Sequence, residues 1–174
     1  MYTLRLIAVA MLFHEDRLLM MKRSPNRTLS PGQWAGIGGH LEPYEMAAPL
    51  AACLREVEEE TGLTPGDIEG LELRYIVTRL SDTDLRQQFV FTGRAKTDKL
   101  SLTEEGELHW IPRDQILDRD IPYVYRSLLE HYLQYGAAGG LWAGTATLSG
   151  QTEDADGARS PSMIWVPLHD PLLL

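Results

Sequence analysis

The stretch REVEEETGL, Arg55–Leu63, puts four glutamates (Glu56, Glu58, Glu59 and Glu60) into five consecutive positions. Pro49 suits a first helical turn and Gly62 the residue just past a last one, so the pattern predicts a helix over residues 49–61. Like charges three or four apart on a helix cost roughly a few tenths of a kcal/mol per pair. At about 100° per residue, Glu56, Glu59 and Glu60 fall on one face, while Leu50, Leu54 and Val57 cluster on another, fit to pack on a sheet. Glu58 points away, toward solvent. Such a face is either solvated or gathered around a cation, and hard oxygen ligands of this kind suit Mg²⁺ or Mn²⁺.

Outward from this helix the chain reads as strands. TLRLIAVAMLF (residues 3–13) and RLLMMKR (17–23) flank HED as a hairpin. SPNRTLSPG (24–32) is a loop, and QWAGIGGHLE (33–42) is a short apolar segment whose paired glycines suggest close backbone approach. IEGLELRYIVTRL (68–80) and LRQQFVFTGRAK (85–96) form two longer strands around SDTD, and LHWIP (108–112) a short one before the helical turn RDQIL. Apolar residues recur at helical spacing over residues 122–135. GLWAGTATL and SMIWVPL pair as a tail hairpin within residues 140–168, across a polar loop at 149–161. Strands on both sides of one helix, with a second helix later, predict a single α/β (α+β) domain over 1–174 with a mixed sheet.

With 25 acidic and 16 basic residues the formal net charge is −9, which supplies no broad basic footprint for nucleic acid or anionic membrane. No apolar run approaches the roughly 20 residues a membrane span needs. Arg5 interrupts the apolar N-terminus, which therefore reads as a strand and not a signal segment. The lone Cys53 cannot form an intrachain disulfide, and a reducing, cytoplasmic setting follows; its place on the helix is a small core-facing one.

From Gly39 the chain reads GHLEPYEMAAPLAACLREVEEETGL, which closely resembles the Nudix box: Gly, five residues, Glu, then Arg-Glu-apolar-x-Glu-Glu-x-Gly-apolar. Nine residues, not the usual seven, separate Glu45 from Arg55, and Pro49 keeps the family's place at the helix start, so the two extra residues lie between Glu45 and Pro49. The resemblance implies an α/β/α sandwich and metal-dependent hydrolysis of a nucleoside diphosphate linked to another group. Carried over by position, Glu56, Glu59 and Glu60 would hold Mg²⁺ with the Gly39 carbonyl, and Arg55 would brace the loop through Glu45. The family's base is a box glutamate, here Glu59 or Glu60, or one from a later loop. TEEGELHW offers Glu104, Glu105 and Glu107, of which Glu105 or Glu107 is favoured as base or extra ligand. Lys22 and Arg23 end a strand where the family often places a basic residue near the substrate phosphates. Trp34 reads as core.

GQWAGIGGHLE, EEGELHWIP and the helix-then-hairpin C-terminus look most like the MutT-like branch, which cleaves nucleoside triphosphates, oxidised ones such as 8-oxo-dGTP among them, to monophosphate and pyrophosphate in nucleotide-pool sanitation. Departures bear on the base. Members that read oxidised purines carry Asn after the tryptophan and an Asp pair after the proline; Ala35, Tyr123 and Val124 stand here. Tyr123 or Tyr125 could instead stack on a base, with core packing the competing reading. The signature of NADH pyrophosphatases is missing, Val77 stands where ADP-ribose hydrolases carry Pro, and Tyr75 comes too early for a dinucleoside polyphosphate hydrolase. Another nucleoside diphosphate derivative, or nucleotide sensing without turnover, stays open. The tail is either a lid over the pocket or a hairpin joining two copies into a homodimer.

Overall fold

The computed structural model describes residues 1–26, 30–81, 83–101, 103–153 and 159–169. Its centre is a mixed sheet built on β1 (Thr3–His14), β2 (Arg17–Arg23), β3 (Trp34–Ala35) and β4 (Ile37–His40). β5 (Ile68–Leu80), β6 (Asp84–Ala95) and β7 (Gly106–Pro112) follow the helix α1 (Pro49–Thr61). The helix α2 (Tyr123–Tyr135) precedes β8 (Leu141–Glu153) and β9 (Arg159–Leu168). The order is β3-β2-β1-β6-β5-β8-β9, with β4 also on β1 and β7 on β2. β1–β6 and β5–β8 are parallel and the other pairs antiparallel, the mixture expected of the sequence.

Alternation along each strand sorts side chains into two cores. Ala8, Ala10 and Leu12 of β1, Leu19 and Met21 of β2 and Phe91 of β6 pack with Ala52, Cys53 and Val57 of α1. Met11, Phe13, Leu18, Met20 and Val90 face the other way, with Leu128 and Leu129 of α2. The result is a helix on each face of the sheet. On β5 a register shift between Leu73 and Tyr75 leaves Arg74 unpaired, so Leu71 and Leu73 join the α1 core while Tyr75 and Val77 join the α2 core.

Two expectations need correction. Leu50 is exposed; α1 buries the face of Ala52, Cys53 and Val57. The tail hairpin forms, but its strands run through Glu153 and from Arg159, so most of the polar stretch assigned to a loop is strand; residues 154–158 lie outside the described residues. Trp34 packs against the α2 core as expected, partly buried, with the Arg119 guanidinium 5.2 Å from its ring centre and His109 at 5.1 Å.

Candidate active site

Two glycines bring the first part of the site close to the sheet. β4 pairs with β1 through Gly39↔Ala8 and Gly38↔Val9. Gly38 has φ +143°, and a Cβ there would sit 2.1 Å from the Ala8 carbonyl oxygen, so no other residue fits without moving the strand. A Cβ on Gly39 would lie 2.5 Å from Glu56 Oε2; the missing side chain is the space the Glu56 carboxylate fills. The Gly38 N–H donates to Glu60 Oε2 at 2.9 Å. The strand thus presents its backbone to two of the helix carboxylates.

Arg55 organises the rest. Its Nε and Nη2 donate to the two oxygens of Glu45 at 2.9 and 3.0 Å, a bidentate pair. Its Nη1 reaches Glu56 and Glu59, both at 2.9 Å, and Nη2 also reaches the His40 carbonyl at 3.2 Å. The extra residues between Glu45 and Pro49 are absorbed before α1 begins, so the brace survives the longer spacing. The Arg55 bond holds the buried Glu45 carboxyl below its ordinary range, and Glu45 in turn is the main cause of a raised Arg55.

The acids themselves are under strain of another kind. Burial raises the Glu56 carboxyl, Arg55 opposes this, and the charges of Glu59 and Glu105 add to it. Burial likewise raises Glu60, the Gly38 N–H opposes, and Glu105 and Glu56 push it further. Glu105 precedes β7 and is tied to the end of β2 through its carbonyl, which accepts from Ser24 N–H at 3.1 Å. The register therefore brings Glu105, from 45 residues beyond Glu60, against the helix acids.

Among the described residues, no three His, Cys, Asp or Glu side chains are gathered closely enough to ligate one ion as they stand; Arg55 occupies Glu56 and Glu59. The donor chemistry fits a hard divalent cation all the same. The carboxylates of buried Glu60 and half-buried Glu56 and Glu105 repel one another, and a cation relieves that repulsion.

The other sequence-chosen residues divide by face. Glu58 and Glu104 are exposed. Glu107 is exposed and lies 3.4 Å from His109 Nε2, on the α2 face with Ile111, so it does not join the acids of α1. Lys22 pairs with Glu107 and Trp34 in register and is exposed. Arg23, on the other face with Met21, has a buried Nε without a partner in the described structure and sits opposite Gly106, next to Glu105. Tyr123 gives its hydroxyl to the Pro161 carbonyl at 2.9 Å, whereas the buried Tyr125 hydroxyl has no partner among the described residues and rests beside Gly36. Cys53 is buried on α1, its thiol pushed up to about 12 by desolvation.

Missed altogether was a row of arginines. Arg5 of β1 pairs in register with Arg86 of β6, and Arg86 with Arg79 of β5. Each lies in a separate segment, and only the strand register assembles them.

A sheet between two helices, with an Arg-braced acidic helix over a glycine pair, is the architecture of one known class. Residues 3–132 match the NUDIX domain, and the chain belongs to that family. Within it the chain is MutT-like in fold. The Mutator MutT protein of Bacillus halodurans superposes with a TM-score of 0.69 at 20% identity, covering 91% of this chain and 97% of that one. A MutT protein of Methanosarcina mazei Go1 gives 0.62 at 27% identity, over 78% and 96%. Isopentenyl-diphosphate Delta-isomerase of Streptomyces griseus is 32% identical over 120 residues, 66% of this chain. The chain spans 60% of that relative's length.

Proposed function

We propose that this chain is a divalent-metal-dependent pyrophosphohydrolase, acting as one domain over residues 1–174, that cleaves a nucleoside triphosphate to the monophosphate and pyrophosphate. An oxidised nucleotide such as 8-oxo-dGTP belongs to that substrate class. The observation that carries the reading is the meeting of Glu56, Glu60 and Glu105, acids from α1 and the loop before β7, beside the Gly38–Gly39 backbone. Glu56, Glu59, Glu60 and the Gly39 carbonyl would hold Mg²⁺ or Mn²⁺. When bound, such an ion neutralises phosphoryl oxygens and makes water a better nucleophile.

The chain's own groups do the remaining work. Arg55 fixes the loop of Glu45 and His40 against α1 and sets the rotamers of Glu56 and Glu59. Gly38 N–H aims Glu60. Glu105, set against Glu56 and Glu60, takes the proton of the attacking water. Arg23, with Nε free beside Glu105, receives a substrate phosphate. The partners in this reading are small nucleotides, without nucleic acid or membrane, and the setting is the cytoplasm. No helix among the described residues is long and apolar enough to cross a membrane.

The test is a Mg²⁺-dependent panel of 8-oxo-dGTP, unmodified dNTPs, ADP-ribose and dinucleoside polyphosphates, with pyrophosphate and orthophosphate resolved. Glu60→Gln should lower turnover by about 100-fold or more with an unchanged far-ultraviolet dichroism spectrum. Near-normal turnover in that variant overturns the assignment. Tight nucleotide binding with no product favours a sensor.

The tail supports a homodimer. Ile164, Val166 and Leu168 are exposed on alternate positions of the edge strand β9, opposite Thr145, Ala143 and Leu141 of β8. Light scattering should read twice 19.6 kDa for the full chain and 19.6 kDa for Val166→Asp. A monomer in both removes the dimer from the reading.

A further inference from the structure

The side of the sheet that carries α1 is covered over only part of its width. α1 packs on β4 and β1 and reaches β6 at its margin, while α2 lies on the opposite side. Register carries the α1 side outward through one row, Phe89, Ile76, Ala143 and Val166, and through the next, Gln87, Thr78, Thr145 and Ile164. Alternation fixes the side: Tyr75 and Val77 flank Ile76 and pack in the α2 core, as do Met163 and Trp165 on either side of Ile164. Ile164 and Val166 are 54% and 50% exposed, and Leu80, two residues beyond Thr78 on the same side, is 58% exposed. Neither row holds a charged side chain.

The uncovered surface continues onto α1. Leu50 and Leu54 lie at least about 120° around the helix from Glu56 and Glu59, on the flank turned away from the acids. Leu54 is partly buried against the same core as Phe89, and Leu50 is exposed. With strands about 4.8 Å apart and rows about 6.6 Å apart, the open sheet and this flank cover roughly 500 Å². That is near the upper limit for an apolar patch on a monomer, and two such faces together bury about 1,000 Å², where specific interfaces begin. The edge of β9 is a poorer contact. Pro161 and Pro167 pair with Leu148 and Trp142 of β8 and stand an even number of residues apart, so the N–H groups they lack are those of the open edge.

We infer that this face docks a second copy of the chain, sheet against sheet about a two-fold axis. The inference rests on the homodimer reading of the tail and specifies it: the contact is the α1 side of β6, β5, β8 and β9 with the Leu50 flank, and not the β9 edge. Two arguments select a copy of the same chain. Chains of net charge −9 repel wherever acids meet, and on this face none do, so it is complementary to itself. Its polar side chains, Gln87, Thr78 and Thr145, lie in one row, which a two-fold axis sets against the same row of the other copy for hydrogen bonding. Glu56 and Glu59 stand on the other flank of α1, so both acidic sites stay open in the pair.

Light scattering of the full chain, with far-ultraviolet dichroism as the check on folding, tests the face. The parent should read twice 19.6 kDa at micromolar concentration. Leu80→Asp, on β5 and two strands in from the β9 edge, should read 19.6 kDa with an unchanged dichroism spectrum. Leu50→Asp, on an exposed first helical turn, should raise the dimer dissociation constant by about tenfold or more, and it carries the test alone should Leu80→Asp not fold. A dimer that survives Leu80→Asp and Leu50→Asp but not Val166→Asp overturns the face and leaves the tail homodimer standing. A monomeric parent overturns both, and leaves the face to some other occupant.

Discussion

Arg55 touches more of the site than any of its glutamates, since one guanidinium serves Glu45, Glu56, Glu59 and the His40 carbonyl. A lysine offers one point charge where this geometry uses a planar fork, so Arg55→Lys should cost roughly 10- to 100-fold in activity, read as kcat/KM. Full activity in that variant would mean the fork positions nothing. Glu60 supplies a second test. Burial and Glu105 hold its proton in the metal-free protein, so a divalent ion must displace that proton. Mn²⁺ affinity should therefore rise from about pH 6 to about pH 8, with proton uptake by the buffer seen in titration calorimetry. At this scale the sequence was partly legible. Helix arithmetic separates Glu58 from the three facing acids, but it cannot choose between Glu105 and Glu107. They are two residues apart, and only the pairing of β7 with β2 decides which of them meets α1.

Among the elements, α1 and the glycine strand β4 form one unit, and their fit leaves little space. Gly39→Ala would put a methyl into the Glu56 carboxylate and should depress activity while leaving the unfolding midpoint near that of the parent. Gly38→Ala meets Ala8 backbone at a positive φ and should cost about 1–3 kcal/mol by denaturant unfolding. Equal effects of the two would deny the separation between site and scaffold. Helix limits were readable because Pro49 and Gly62 are punctuation with a steric cause; Gly62 does take the left-handed cap, at φ 75°. The faces of β5 were not. Leu71, Leu73, Tyr75 and Val77 read as uninterrupted alternation, yet the bulge at Arg74 sends the first pair to one core and the second pair to the other.

Across the whole molecule, the tail completes the α2 side. His131 sits within 5.6 Å, centre to centre, of Tyr75, Tyr135, Trp142 and Trp165, and its Nδ1 lies 3.1 Å from the Tyr75 hydroxyl. Burial lowers the His131 pKa below its unfolded value, so the folded chain favours the neutral ring. Its contribution to stability is full above the unfolded value, about 6.5, and is lost as pH falls through the window between the two. The thermal midpoint should drop from about pH 8 to about pH 5, and drop less in His131→Gln. Trp165→Ala should cost about 3 kcal/mol, the low end for a core aromatic because the ring is only partly buried. The family match ends at residue 132, and nothing in the tail's composition foretold that β8 would join β5 in parallel.

Arg74 has a further consequence. Its side chain caps the carbonyls of Gly136 and Gly140, at 2.8 and 2.9 Å, where α2 hands over to β8. The residue that switches the strand from one face to the other is thus also the clasp for the joint behind it. Odd and even exchange meanings at this position. Deleting one amino acid here would act on the side chains as a frameshift acts on codons, rewriting every inward and outward assignment downstream in β5 and unfastening the tail in the same step.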